Sequence, residues 1–273
     1  EPDPAIGINP ELYNVNAVAY ESVMLGMLQI FLGPQNDQCK EQGIPKRTDL
    51  KVAFSRDGFH WQRPSDRTSF IPSSGGSAWD KGYVQSVGGI CSVVGDQLRF
   101  YYIGFRGDET RPGTGYGMHA HGSTGIAVLR RDGFCSLSAD AGGTVTTRPV
   151  IFDGSYLFVN VDSSEGSLKA ELLDEDGNVV DGFSADECEP VSEDSTISLV
   201  TWKNNDSLAA FAGKPVRLRF ILDKAHLYSF WVSTSQAGES RGYVAGGGPG
   251  YKTNLDVEGI SAYEKASGYT NLE

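Results

Sequence analysis

The segment Leu50–Phe59, LKVAFSRDGF, returns in altered form as Gly125–Phe134, GIAVLRRDGF. Each copy joins an apolar strand to an Arg-Asp-Gly turn and an aromatic residue. Their aspartates, Asp57 and Asp132, lie 75 positions apart (132 − 57). Such a repeat constrains a fold more tightly than composition does. Each copy is one supersecondary unit that cannot bury its apolar face alone, so the copies must pack on each other or on a common partner.

The segments before each copy also correspond. Asn14–Ser22 reads as a strand followed by the apolar strand Met24–Leu32. Tyr83–Val94 reads as a strand followed, after a Gly95-Asp96 turn, by Gln97–Phe105. Two units of four antiparallel strands are therefore expected, over 13–72 and 79–140. Four-stranded units in tandem are the form of propeller blades. The 34 glycines and the turn pairs Asp57-Gly58, Asp132-Gly133 and Asp176-Gly177 agree with an all-β chain. Only Ser207–Ala212 is expected to form a helical turn.

Beyond Gly142-Gly143 the pattern changes. Strands are expected at 144–152, 156–161, 167–174, 196–202, 216–222 and 227–233. In Val216–Leu222, the side chains of Val216, Leu218, Phe220 and Leu222 share one face. Region 142–235 reads as a β-sandwich, jelly-roll-like. The remainder, 236–273, opens with the Gly-rich run Gly246–Gly250 and carries one strand-like stretch, Leu255–Ile260. That stretch either folds back on its own chain or pairs with a neighbouring subunit.

With 23 Lys and Arg against 35 Asp and Glu, the net charge is −12. That balance argues against a nucleic-acid partner and against adhesion to an anionic membrane. No apolar run is long enough for a membrane span, so no membrane insertion is expected. The chain starts at Glu1 rather than Met, as expected of a mature secreted form whose signal peptide or pro-segment has been removed, and equally of a fragment. The four cysteines, Cys39, Cys91, Cys135 and Cys188, allow two disulfides in three pairings, although Cys91 sits in an apolar strand where a free thiol fits equally. Asn205-Asp206-Ser207 is a glycosylation sequon in a polar turn.

Ser55-Arg56-Asp57-Gly58-Phe59-His60-Trp61 resembles the S-x-D-G-x-x-W turn of five-bladed β-propeller glycoside hydrolases, the family 32, 43 and 68 relatives. Trp79-Asp80-Lys81-Gly82-Tyr83, the strand Gln97–Tyr102, and Leu12-Tyr13-Asn14 leading to Ala19-Tyr20-Glu21 are similar to the same group. The resemblance covers most of 10–235, with the sandwich standing for their C-terminal module. It implies an extracellular, carbohydrate-directed protein. The family has five blades, whereas two are readable here, and the first-blade Asp nucleophile of retaining members has no counterpart. The chain is then the C-terminal half of a processed enzyme, a propeller completed by a second polypeptide or an identical subunit, or a non-catalytic assembly protein. It is not expected to be catalytic alone. The alternative function is a structural glycoprotein that keeps the scaffold without activity.

Within this resemblance Glu21 is the candidate acid/base, at the end of an inner strand. Asp80 is a weaker carboxylate candidate, and Asp49 occupies a similar strand-start position. Each has a structural alternative, as an edge carboxylate or a turn residue. Asp57 and Asp132 are expected to hydrogen-bond within their own turns. Trp61, Trp79 and Tyr83 are candidate sugar-stacking residues; Tyr101 and Tyr102 read as core packing. His119-Ala120-His121 puts two imidazoles on one strand face, but no carboxylate or thiol nearby completes a metal site. Asp162, Glu165, Asp174, Glu175 and Asp176 lack the spacing of a calcium loop. No metal and no cofactor is expected.

Overall fold

A computed structural model describes residues 11–108, 110 and 117–269. The chain is all-β, built of antiparallel sheets, and no sheet among the described residues closes into a barrel. No helix among the described residues is long and apolar enough to cross a membrane. The chain divides into two compact units. One comprises Glu1–Val93, Arg99–Val128 and Gly242–Gly248; the other comprises Val94–Leu98, Leu129–Arg241 and Pro249–Glu273.

The first unit starts with β1 (Glu11–Glu21), β2 (Val23–Gly33), β3 (Arg47–Ser55) and β4 (Trp61–Gln62), each paired with the next. These are the four strands expected from the first repeat. Between β2 and β3 lies a short helix, α1 (Asn36–Gln42), that sequence patterning missed. Its seven residues, about two turns, cannot display a sustained apolar stripe. The second sheet holds β5 (Tyr83–Val94), β6 (Gln97–Phe105) and β7 (Gly122–Arg130) in that order. Side chains of the first sheet satisfy the backbone of β5. Gln29 and Thr48, both buried, donate to the Val84 carbonyl at 2.8 Å each, and Thr48 Oγ1 accepts from the Val84 amide at 2.9 Å.

The second repeat departs from the expectation of four strands over 79–140. Its sheet has three, and the stretch expected to be the fourth forms β8 (Leu137–Ala139), which pairs with β14 (Ala225–Ser233). A short strand takes its partner from whichever ladder is available in space, which sequence similarity between repeats does not encode.

In the second unit β12 (Asp194–Leu199), β10 (Tyr156–Asp162), β14 and β8 form one sheet in that order. A second sheet is ordered β11 (Ser167–Leu173), β13 (Arg217–Asp223), β9 (Gly143–Thr146). One apolar cluster draws on both sheets, including Leu157, Val159 and Val161 of β10 and Leu168, Ala170 and Leu172 of β11. Val216, Leu218, Phe220 and Leu222 are all buried in it, as their alternation requires.

The C-terminal region corrects one expectation. Leu255–Ile260 forms no strand: Asp256 Oδ1 accepts from the Glu258 and Gly259 amides, and Ile260 opens helix α2 (Ile260–Ala266). The added strand is instead β15 (Tyr243–Val244), paired with Tyr20 and Glu21 of the chain's own β1. The Gly-rich run is closely packed, since a Cβ at Gly248 would lie 1.8 Å from the Val93 carbonyl oxygen. The cysteines form no disulfide; Cys39, Cys91 and Cys188 are buried free thiols and Cys135 is an exposed one. Cys39 lies in α1, Cys91 in β5 and Cys188 in a loop bridged to Trp202.

Candidate functional site

Tyr102 and Gly104 alternate along β6 and so lie on one face. Gly125 of β7 belongs to the adjoining strand. Trp79, in the loop before β5, lies over these two glycines. A Cβ at Gly104 would fall 2.5 Å from the indole, and one at Gly125 would fall 2.9 Å from it and 2.7 Å from the Tyr102 ring. Only glycine leaves room for the two rings, which sit 5.6 Å apart between centroids. Trp79 nonetheless remains 39% exposed.

Next to it, Asp80 is buried. Its Oδ2 accepts from the Tyr102 hydroxyl at 2.9 Å. Its Oδ1 is a buried side-chain oxygen with no hydrogen-bond partner among the described residues. Buried polar atoms without partners are costly and mark strain, chemistry or a missing ligand. The Tyr102 phenol is pushed up to about 12, first by burial and then by its bond to the Asp80 carboxylate. Both therefore disfavour the phenolate.

The other candidates scatter. Glu21 ends β1 with a left-handed backbone (φ +46°), and its carboxylate presses on Gly242, where a Cβ would meet Oε2 at 1.9 Å. Trp61 lies flat on Gly26, donates its indole N–H to the Gly58 carbonyl at 3.1 Å and packs on Leu28, Ile30 and Ala53. Tyr83 is buried edge-on to Phe105 and His119, with its phenol raised chiefly by that burial. Asp49 is fully engaged by Ser69 and Ser73.

The two imidazoles part company: His119 packs on Tyr83 and Phe105, whereas His121 faces Asp108 at 4.0 Å. Asp162 accepts from Ser164, and Asp174 from Asn178, closing their own turns. Asn205 donates its side-chain nitrogen, the atom a glycan would occupy, to the Gly182 carbonyl at 3.0 Å.

The repeated turns differ in detail. Asp57 Oδ1 accepts from the Phe59 and His60 amides at 2.9 and 2.8 Å, and Gly58 takes the left-handed conformation. In the second copy Asp132 itself is left-handed (φ +57°) and its carboxylate accepts from Ser229 at 2.7 Å.

The arrangement thus gathers Trp79, Asp80 and Tyr102 and leaves Glu21, Trp61, Tyr83 and Asn205 elsewhere. Sequence reading took Tyr102 for core. The signal that points to its role is the spacing Tyr102-x-Gly104, a bulky ring beside a vacant Cβ position. No protein-family model, no curated protein and no solved structure matches this chain.

Proposed function

We propose that this protein is an extracellular carbohydrate-binding protein of the propeller glycoside hydrolase lineage, with Trp79, Asp80 and Tyr102 as its sugar-binding residues. In this reading β1–β4 and β5–β7 are propeller-type blades and the second unit is a β-sandwich. The observation that carries it is the partly exposed indole held on Gly104 and Gly125 beside a carboxylate oxygen that lacks a donor among the described residues. Pyranose rings offer apolar C–H faces to an aromatic plane and hydroxyl donors to a carboxylate, and this site supplies both.

Hydrolysis is not part of the proposal. It requires two carboxyl groups about 5–10 Å apart across one sugar. Asp80 is already hydrogen-bonded to Tyr102.

The test is calorimetric titration with a panel of neutral oligosaccharides. A ligand should emerge whose affinity falls about tenfold, or about 1.4 kcal/mol, in Trp79→Ala, while Trp61→Phe binds as the parent does. Equal affinity in Trp79→Ala, or no binding across the panel, would sink the reading. Turnover of aryl glycosides that disappears in Glu21→Gln would replace it with an enzymatic one.

A further inference from the structure

In the second unit, β14 lies between β10 and β8 in one sheet. At one level of that sheet three polar residues stand in register. Asp162 of β10 is opposite His226 of β14, and His226 is opposite Ser138 of β8. Alternation fixes the face they share. Val161, Ala225 and Leu227 are buried in the apolar cluster and Ala139 packs against it. Their neighbours Asp162, His226 and Ser138 therefore lie on the opposite face. Residues directly across a ladder have Cβ atoms about 4.5–5.5 Å apart. A serine, a histidine and an aspartate thus run side by side across three strands.

The serine and the histidine are in contact: Ser138 Oγ lies 2.7 Å from His226 Nδ1. Both residues are exposed, and no strand follows β8 in its sheet among the described residues, so the hydroxyl can be approached from the sheet edge. Asp162 Oδ1 accepts from the amide and hydroxyl of Ser164. Those bonds, chiefly, hold its carboxyl below the usual range, with Arg130 and His226 adding to them. His226 also borders a cleft of about 360 Å³, lined by Asp140, Asp162, Glu165 and Lys224 with Ala139 and Ala225.

We infer that Ser138 is a nucleophile activated by His226, and that this site hydrolyses neutral esters of small acyl groups. In an imidazole that carries its proton on Nε2, Nδ1 takes the Ser138 proton as Oγ bonds to the ester carbonyl carbon. The imidazolium gives that proton to the departing alkoxide, and the alcohol leaves. Water then attacks the acyl-serine. His226 takes the proton of the water and returns it to Oγ, and the acid is released. Asp162 is a positioning residue, whose negative charge favours the imidazolium formed at each stage. The cleft sets the substrate class. Three carboxylates against one ammonium repel an anionic ester, and two alanines give no apolar wall for a long acyl chain. Ester cleavage by this route needs no second carboxyl group across a sugar, and it does not rest on Trp79, Asp80 or Tyr102.

The experiment has two readouts. In the first, the protein is treated with a fluorophosphonate, which loses fluoride to an activated serine Oγ, and the modified residue is located by peptide mass spectrometry. Ser138 should be labelled in the folded protein and not after heat denaturation. In the second, turnover of phenyl acetate is compared between parent and variants. Ser138→Ala and His226→Gln should each lower kcat/KM by about a hundredfold. Both positions are exposed, so circular dichroism should show the parent's spectrum. His60→Gln removes another exposed imidazole and should turn over as the parent does. Asp162→Asn keeps an acceptor for Ser164 and should lower kcat about tenfold with KM unchanged. A folded protein in which Ser138 stays unlabelled, or a Ser138→Ala variant as fast as the parent, overturns the proposal.

Discussion

Arg131 and Asp256 stand 125 residues apart in sequence and form a buried ion pair at 2.8 Å. Arg131 also donates to the hydroxyls of Tyr251 and Tyr263, and its guanidinium lies over the Tyr263 ring. Asp256 meanwhile caps the turn into α2 through Oδ1. One pair of side chains therefore fastens the C-terminal segment within the second unit.

Asp256→Ala should cost about 3–5 kcal/mol, because it strands a guanidinium that burial has already stripped of water. That is a large part of the stability of an ordinary domain. Replacing both residues with apolar ones of similar volume, Arg131→Met with Asp256→Leu, should cost less than Asp256→Ala alone. Urea unfolding monitored by fluorescence provides the comparison. A single variant within about 1 kcal/mol of the parent would show that the pair is not what holds the segment.

The raised phenol of Tyr102 has a consequence at alkaline pH. The unfolded phenol titrates near 10 and the folded one near 12. The folded state keeps its proton longer, so the contribution is complete below 10 and is lost as pH rises towards 12. Asp80→Asn removes the carboxylate while keeping an acceptor oxygen. Absorbance titration at the tyrosinate band, with Tyr102→Phe in the same background to identify its contribution, should then find Tyr102 moved down. An unchanged curve would separate Tyr102 from Asp80.

At the tip of the first repeated turn, His60 Nδ1 lies 2.6 Å from Asp57 Oδ2. The bond raises His60 above its usual value, while the amides and ring of His60 hold Asp57 below the carboxylate range. The turn is firmest between those limits. It loosens as pH rises through the raised histidine value, and again as pH falls through the lowered aspartate value. Both groups are solvent-exposed, so the readout is local. In Asp57→Asn, the His60 ring protons followed by NMR should titrate at a lower pH than in the parent.

The thiols give a chemical check on the fold. Burial raises Cys39 and Cys188 and pushes Cys91 up to about 12, while Cys135 is exposed. The folded protein should react once with an aromatic disulfide reagent that releases a coloured thiolate, and four times after denaturation. Reductant should leave the melting temperature unchanged. Two or more fast-reacting thiols, or a reductant-sensitive Tm, would contradict the burial and free state of Cys39, Cys91 and Cys188.

What the sequence determined by itself is whatever depends on near neighbours along the chain. Short β-branched runs broken by glycine turns dictated an all-β class. Alternation placed Val216, Leu218, Phe220 and Leu222 on one buried face, and Asp57 closes a turn with amides two and three positions away. Tertiary structure alone decided which strand accepted β8, where β15 attached, and that Arg131 meets Asp256. It also brought Trp79 over Gly104 and Gly125, turning a residue read as core, Tyr102, into the partner of Asp80. The physical reason is the same in each case. A backbone ladder or a vacant Cβ position accepts many partners, and only packing of the whole chain selects one.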